Sequence, residues 1–288
     1  MKLSESPVGV SAEAWAGSEH SSIEEGDLWL LSWDGNVLGL GVITGIAPSF
    51  VLVWPVTLLE APAFPPAVRV EDSPLGPIAL WPSRETGVGM HLLHRRLGPT
   101  LAKSSARALA DAFHDGTEPP LPFVESSADE GTRVFESDAM IDQWEAISLH
   151  VWPMPLIGET HFDPTALQTL GVQISELQEA LSIPVPEAVG LFRGELIPST
   201  EQVELLSQRL GAQADQLLLS SVDDLSLLMF EPEFKDDLLR IAETYNTDET
   251  KARSMVRSEF ALAARSDGNP RTRLRAAIHR LSNSAQES

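Results

Sequence analysis

Short β-rich apolar runs are frequent in the first part of the chain, and apolar positions at helical spacing prevail beyond a predicted boundary near residue 155. Before it, short β-rich apolar runs are separated by turns rich in Gly, Asn, Asp and Pro. The predicted strands lie at 27–33, 37–44, 50–54, 67–71 and 77–81. A helix with one apolar side follows at 100–114. Several short strands followed by one helix predict a small β-barrel.

The stretch 174–218 has the pattern of short amphipathic helices joined by tight turns. Helix starts are indicated by capping-box spacing and a first-turn proline, and helix ends by glycine. These residues are Ser175 with Gln178, Ser199 with Gln202, Pro186, Gly194 and Gly211. The positions predicted to face the core are Leu177, Leu181, Ile183, Leu191, Val203, Leu206, Leu210 and Leu217. This spacing is typical of a helix-turn-helix core.

Further helices are predicted on both sides of this stretch. Asp163-Pro164 opens a helix that runs to residue 170. Three more helices are predicted at about 232–245, 247–265 and 271–281. The preceding connector is rich in proline and acidic residues, with a short helix at 138–148. All seven tryptophans lie at or before residue 152, which supports a boundary near 155.

The chain is therefore predicted to be an α+β protein of two domains, a barrel followed by a helical domain. The predicted segments are a polar N-terminal segment (1–25), the barrel (26–115), an acidic Pro-rich connector (116–160), the helix-turn-helix (161–222) and a helical C-terminal extension with an Arg-rich tail (223–288).

Composition narrows the function classes. A net charge of −22 disfavours nonspecific binding to nucleic acid or to an anionic membrane. The chain has no cysteine, which excludes disulfides, thiolate metal sites and cysteine nucleophiles. The first residues contain no apolar signal-peptide region, and no apolar run is long enough to span a membrane. A cytoplasmic protein without membrane contacts is expected.

The stretch 174–218 resembles the Cro/repressor (XRE) helix-turn-helix family. The family's turn appears as Arg193-Gly194-Glu195-Leu196-Ile197-Pro198-Ser199, and its Leu-Gly helix end as Leu210-Gly211. The resemblance implies a DNA-binding fold, but the residues that touch DNA in that family are replaced. Ile174 stands where a polar residue holds a phosphate. The recognition-helix positions read Pro184, Val185, Pro186, Glu187, Val189 and Gly190.

Charge in this region also opposes DNA binding. Residues 165–220 contain seven acidic and two basic residues, a balance of −5. Phosphate neutralisation needs Lys or Arg, and base reading needs donor side chains. Val185, Val189 and Phe192 instead make this face apolar, and exposed apolar clusters mark protein contacts. We expect the face to be covered by the barrel, by a second copy or by a partner.

The region 26–114 resembles the PemK/MazF toxin family, whose domain is an SH3-like barrel. The motifs are Gly26-Asp27-Leu28-Trp29-Leu30, Val53-Trp54-Pro55-Val56-Thr57 and Arg95-Arg96-Leu97-Gly98. The resemblance implies RNA cleavage by an Arg and a Ser/Thr, and Thr57 matches the latter. The Arg, expected near Leu38 or Gly39, is missing, and a transferring phosphoryl group would lack its main stabiliser.

Other candidate sites are weaker. His91 and His94 have a spacing that binds metal on a helix, but no third ligand is indicated nearby, so no metal or cofactor is expected. Ser, His and Asp residues are scattered without a nucleophile motif. The pairs Asp223-Asp224 and Asp236-Asp237 fit caps and solvated helix faces better than paired catalytic carboxylates.

The C-terminal tail is basic. Residues 251–280 contain eight basic residues against two acidic ones, and the densest group is Arg271, Arg273, Arg275 and Arg280. One interpretation is a nucleic-acid contact. The other, which fits the acidic chain better, is an intramolecular or subunit contact.

Three functional hypotheses follow. The leading one is a noncatalytic regulatory or interaction protein of toxin–antitoxin type that acts through a protein partner or self-association. The second is a transcriptional regulator that binds DNA through the helix-turn-helix or the Arg-rich tail. The third is a divergent MazF-like endoribonuclease that uses Thr57.

Overall fold

A computed structural model describes residues 2–17, 22–47, 49–59, 61–150, 161–193, 196–218, 224–262 and 269–284. The protein is α+β and divides into two compact units. The sheet unit contains residues 1–152 and 227–288, and the helical unit contains residues 153–226. The sequence predicted that everything beyond 155 is one helical domain. That prediction is wrong for the last segment, because its helices pack against the sheet.

The sheet unit is built around seven antiparallel strands. They are β1 (Asp27–Trp33), β2 (Asn36–Ile46), β3 (Phe50–Leu58), β4 (Val68–Val70), β5 (Ile78–Leu80), β6 (Thr86–Gly89) and β7 (Leu93–Pro99). The strand order is β4-β5-β3-β2-β1-β7, and β6 also pairs with β3. Among the described residues β4 and β7 end this path without pairing to each other, so the sheet is open and the prediction of a closed barrel is wrong.

The predicted turn between β1 and β2 is confirmed. Asp34 and Gly35 both have positive φ (49° and 70°), as a two-residue hairpin requires. Every residue of β1 is buried, which places this strand in the middle of the unit. Leu28 and Leu30 face a core shared with Leu40 and Trp54. The other side of β1 faces the C-terminal helices, as described below.

Three helices accompany the sheet before the helical unit begins. They are α1 (Ala12–Ala16), α2 (Lys103–Asp115) and α3 (Glu130–Ser148). Asp129 caps α3, which begins eight residues before the predicted helix at 138–148. Trp144 and Ile147 of α3 are buried against β2, close to Gly39. A Cβ at Gly39 would lie 3.3 Å from the Trp144 ring, so a larger residue there would force the ring to shift.

The helical unit contains α4 (Pro164–Thr169), α5 (Ile174–Leu181), α6 (Val185–Phe192), α7 (Thr200–Leu210) and α8 (Ala214–Leu217). Six of the eight predicted core positions are buried, and Ile183 and Leu210 are half-buried against the same core. The Ser199 capping box and the left-handed Gly211 are confirmed. The start of α5 was predicted wrongly, since Gln173 caps it with Glu176. Gly194 lies outside the described residues.

The chain returns to the sheet unit within α9 (Asp224–Met229). A short 3-10 turn (Pro232–Phe234) leads into α10 (Lys235–Thr244), α11 (Glu249–Leu262) and α12 (Pro270–Ser284). The last three helices pack on one another around Leu238, Val256 and Leu274, all of which are buried. Among the described helices, none has the length and apolarity that crossing a membrane requires.

Candidate functional site

The predicted interaction face lies on α6 of the helical unit. Val185 is 51% exposed at the first turn of the helix, next to Pro186. Val189 is half-buried on the same side, and Phe192 is half-buried because its ring packs against the core of the unit. The only charged residue of α6 is Glu187, which accepts a hydrogen bond from the Gln202 amide (3.2 Å). The surface around Val185 is therefore apolar and without cations from this helix.

Thr57 lies near the end of β3 and is half-buried. Its hydroxyl accepts a hydrogen bond from the indole nitrogen of Trp81 (3.1 Å). Helix α3 covers Leu38 and Gly39 of β2, where the resemblance to the PemK/MazF family predicts an arginine. The side chain of Gln143 donates a hydrogen bond to the carbonyl of Leu38 (2.8 Å), and the Trp144 ring lies over Gly39. In this chain the corresponding surface is a helix-packing surface.

The arginines of the C-terminal tail bind carboxylates and an aromatic ring of the same unit. Arg271 pairs with Glu231 and Glu233, and Arg275 also reaches Glu233. Arg280 pairs with Glu259 (2.6 Å), and the Arg273 guanidinium stacks over the Phe260 ring. These contacts hold α12 against the residues that precede α10 and against α11. Much of the tail's positive charge is thus neutralised within the sheet unit.

A buried ionic network, which sequence reasoning missed, joins the sheet to the C-terminal helices. Lys235, Glu249 and Arg253 are each at most 1% exposed. The Lys235 ammonium donates to the backbone carbonyls of Ser32 (3.1 Å) and His91 (2.9 Å) and to Glu249 Oε1 (2.7 Å). Arg253 donates to the same carboxylate oxygen (2.6 Å) and to the carbonyl of Met229. One carboxylate therefore serves two buried cations.

The hairpin turn of the sheet also enters this network. The Asp34 carboxylate accepts a hydrogen bond from the backbone N–H of Glu249 (2.6 Å), at the first residue of α11. In return, the Asp34 backbone N–H donates to Glu249 Oε2 (3.2 Å). An anion at a helix N-terminus is stabilised by the unpaired N–H groups there. The β1–β2 turn therefore anchors α11.

Aromatic rings surround this ionic network at the contact between the sheet and the C-terminal helices, which we call the junction. The Lys235 ammonium lies 4.8 Å from the centre of the Trp33 ring, and Arg253 approaches the same ring at 5.5 Å. His91 packs edge-on against Trp33 (5.5 Å between centroids) and is also in contact with Phe230. Ring faces attract cations, and this attraction increases when water is excluded. The network is therefore embedded in an aromatic surrounding.

Ser32, His94 and Asp236 form a hydrogen-bonded chain that resembles a hydrolase triad. His94 Nδ1 is 2.8 Å from Ser32 Oγ, and His94 Nε2 is 2.9 Å from Asp236 Oδ1. Ser32, the second-last residue of β1, is completely buried, so its hydroxyl cannot meet a substrate. The hydrogen bonds of Ser32, His94 and Asp236 instead link β1, β7 and α10. Asp236, expected to lie on a solvated helix face, is recruited to His94 although its side chain is 65% exposed.

The two histidines of the proposed metal spacing point to different partners. His94 binds Ser32 and Asp236, whereas His91 packs among aromatic rings. Among the residues that the structure describes, no cluster of three or more metal-ligating side chains is found. The structure therefore gives these residues a role in the junction.

Burial shifts the pKa values of the network in a consistent way. Burial and then the charges of Arg253, Lys235 and His150 together lower the pKa of His91 from its ordinary 6.5 to about 2. Burial also lowers the pKa of His94, against the opposing effect of Asp236. Burial alone would raise the pKa of Glu249, but Lys235 and Arg253 together hold it below its ordinary value. Both histidines are therefore neutral at neutral pH, and Glu249 is ionised.

The geometry defines an α+β protein with a buried ionic network in its sheet unit and an exposed apolar residue, Val185, on α6 of its helical unit. No protein-family model, no curated protein and no solved structure matches this chain.

Proposed function

We propose that this protein is a noncatalytic regulatory protein that acts through protein–protein contacts, with the α6 surface (Val185, Val189 and Phe192) as a contact surface. The observation that carries the proposal is the exposure of Val185 on a helix without lysine or arginine. Apolar side chains at such a position favour a protein partner over a polyanion.

The proposed type is a toxin–antitoxin-like regulator, in which the sheet unit corresponds to the SH3-like barrel, opened between β4 and β7, and the helical unit to the XRE-type helix-turn-helix. The XRE-type assignment is supported by the short helices α5, α6 and α7 and by an apolar core at the positions expected for the XRE family. The first assignment is supported by an antiparallel sheet followed by α2. The proposal otherwise rests on the motifs quoted above.

The contacts around Thr57 support a noncatalytic role for the sheet unit. The Thr57 hydroxyl accepts a hydrogen bond from Trp81, and α3 packs over Leu38 and Gly39 of the neighbouring strand β2. An RNA backbone needs a positively charged groove to follow it. Residues 3–68, which include β1, β2 and β3, contain no lysine or arginine that could form such a groove.

Substituting Val185 with Asp will weaken partner binding or self-association while leaving the fold intact. An acidic residue in the first turn suits a helix start, so α6 will be retained. A carboxylate in an apolar contact loses its hydration, and the complex will lose about 2–4 kcal/mol of binding free energy. The measurements are quantitative mass spectrometry of proteins that co-purify from the native host, and light scattering for the oligomeric state.

The matched control is Leu205→Asp, which places the same charge at an apolar residue exposed on α7. We expect this variant to keep the proteins that Val185→Asp loses. Equal retention of partners and of oligomeric state by the wild type and Val185→Asp would contradict the assignment of the α6 surface.

The wild-type protein will neither bind promoter DNA nor cleave RNA. At about 50 mM and about 200 mM salt, fluorescence anisotropy of labelled DNA will show no salt-dependent binding, because counterion release requires cations that contact phosphates. Incubation with total RNA will give the same gel pattern for the wild type and Thr57→Ala. RNA cleavage that disappears in Thr57→Ala would establish the endoribonuclease, and DNA binding that weakens with salt would establish the transcriptional regulator.

A further inference from the structure

The outward side of α3 carries large apolar side chains that are exposed to solvent. Helix α3 is held to the sheet by Trp144, Ile147 and the amide of Gln143. On the other side, four large apolar side chains are exposed by between 37% and 70%. They are Val134, Phe135, Ile141 and Leu149. At 100° per residue they fall within one broad face opposite the buried one.

Acidic side chains are interspersed on this face. Asp138, Asp142 and Glu145 are all exposed and fall between the apolar residues on the helical wheel. The whole helix contains five carboxylates and one arginine, and that arginine, Arg133, is turned towards the carbonyl of Ser126 (3.1 Å). The outer face of α3 is thus apolar and negatively charged.

We propose that the outer face of α3, made of these seven residues, binds a basic amphipathic helix of a partner protein. Its apolar residues offer a stripe about 22 Å long, which matches a helix of about four turns. Lysines or arginines beside the apolar stripe of the partner would pair with Asp138, Asp142 and Glu145. Helices that pack side by side bury such stripes, and complementary charges select the partner.

A groove next to this face offers a place for a partner side chain. It has a volume of about 470 Å³ and lies between α3 and the β6 region. Its lining combines the apolar side chains of Met140, Ile141 and Trp144 with the charged side chains of Arg84, Glu85 and Glu145. Buried apolar anchors in such depressions contribute most of the binding energy in protein interfaces.

Charge excludes the other occupants. Nucleic acid and anionic membranes are repelled by the carboxylates of α3. A second copy of the chain carries the same face and the same overall charge of −22, so like charges would meet. The observations favour a basic protein segment.

The test uses the full-length protein and a fluorescein-labelled peptide of about 18 residues, made of Leu and Lys, with Leu at helical spacing. Fluorescence anisotropy will show binding to the wild type that weakens with salt. A peptide with Glu in place of Lys will not bind. The double substitution Asp138→Lys/Asp142→Lys will weaken binding of the Lys peptide by about tenfold or more.

The control Asp111→Lys/Asp115→Lys makes the same change in charge at the same spacing on α2, where both residues are exposed. It will weaken binding by less than about twofold, since its charges lie outside the proposed face. Phe135→Ala will weaken binding more than Phe50→Ala, which removes an equally large exposed ring from the sheet. Circular dichroism will verify that all variants are folded.

Absence of binding to the wild type, or equal loss in the α2 and α3 variants, would overturn the proposal. Self-association abolished by Asp138→Lys/Asp142→Lys would also overturn it and would identify a second copy as the occupant. The inference rests on the proposed role in protein contacts. Its variants lie in the sheet unit and the Val185→Asp test in the helical unit, so either idea can fail without the other.

Discussion

Substituting Glu249 with Gln will lower the free energy of unfolding of the sheet unit by about 3–5 kcal/mol, because it leaves buried cations without their counter-charge. Lys235 and Arg253 both donate to Glu249 Oε1, and both are removed from water. The substitution keeps the shape of the side chain and removes its charge. The loss therefore measures the uncompensated positive charge in the junction.

Tryptophan fluorescence during urea unfolding measures this effect selectively. All seven tryptophans lie at or before residue 152, so the signal reports on the sheet unit alone. The control Glu243→Gln changes an exposed glutamate nearby, and will alter stability by less than about 0.5 kcal/mol. A Glu249→Gln protein as stable as this control would show that the network is not needed to hold the helices.

Removing all three charges will cost less than removing one. The triple variant Lys235→Met/Glu249→Leu/Arg253→Met removes every charge of this network, and its apolar side chains can pack against Trp33 and Phe230. Replacing a buried ion cluster by apolar residues is frequently neutral or stabilising, whereas breaking it is not. The triple variant will therefore recover most of the stability lost in Glu249→Gln.

Acid will destabilise the sheet unit, and His91 will account for about 2 kcal/mol of the loss between pH 6.5 and about pH 5. In the folded state the pKa of His91 is lowered to about 2, but in the unfolded chain it returns to 6.5. Between these values the unfolded chain binds the extra proton. The contribution of His91 to the stability is therefore complete well above pH 6.5 and is lost progressively as the pH falls below it.

The variant His91→Phe tests the sign and the size of this dependence. It keeps a ring against Trp33 and Phe230 but has no titrating group, so its unfolding free energy will vary less between pH 7 and about pH 5. The remaining slope will come from His94 and His150, whose pKa values burial also lowers. The control His114→Phe alters an exposed histidine of α2 and will keep the wild-type slope. Identical slopes for wild type and His91→Phe would contradict the prediction.

Local elements could be predicted from the sequence wherever the determining residues are neighbours in the chain. The Asp34-Gly35 turn, the Ser199 capping box and the Gly211 helix end depend on positions a few residues apart. The apolar spacing of α5, α6 and α7 likewise predicted the core of the helical unit, because a helical period is a local property.

The ionic junction could not be predicted for the opposite reason. Ser32 and Lys235 are 203 positions apart, and Asp34 and Glu249 are 215 positions apart. In sequence, Lys235 and Glu249 look like the solvated charges of amphipathic helices. Only the Glu249 and Arg253 spacing of four residues indicates a pair, and that spacing is common on exposed helices. The same limit applies to Phe192, whose half-burial depends on how α6 packs.

The interrupted sheet unit has a consequence for synthesis on the ribosome. Its strands are made first, and translation at roughly 5–20 residues per second then produces the helical unit before α10 and α11 emerge. Throughout that interval Trp33 and the sheet side of His91 have no lysine or arginine to cover them. The nascent chain thus exposes an apolar, aromatic surface for several seconds, and chaperones act on intermediates of this kind. Codon changes that slow translation between residues 153 and 226 prolong this exposure.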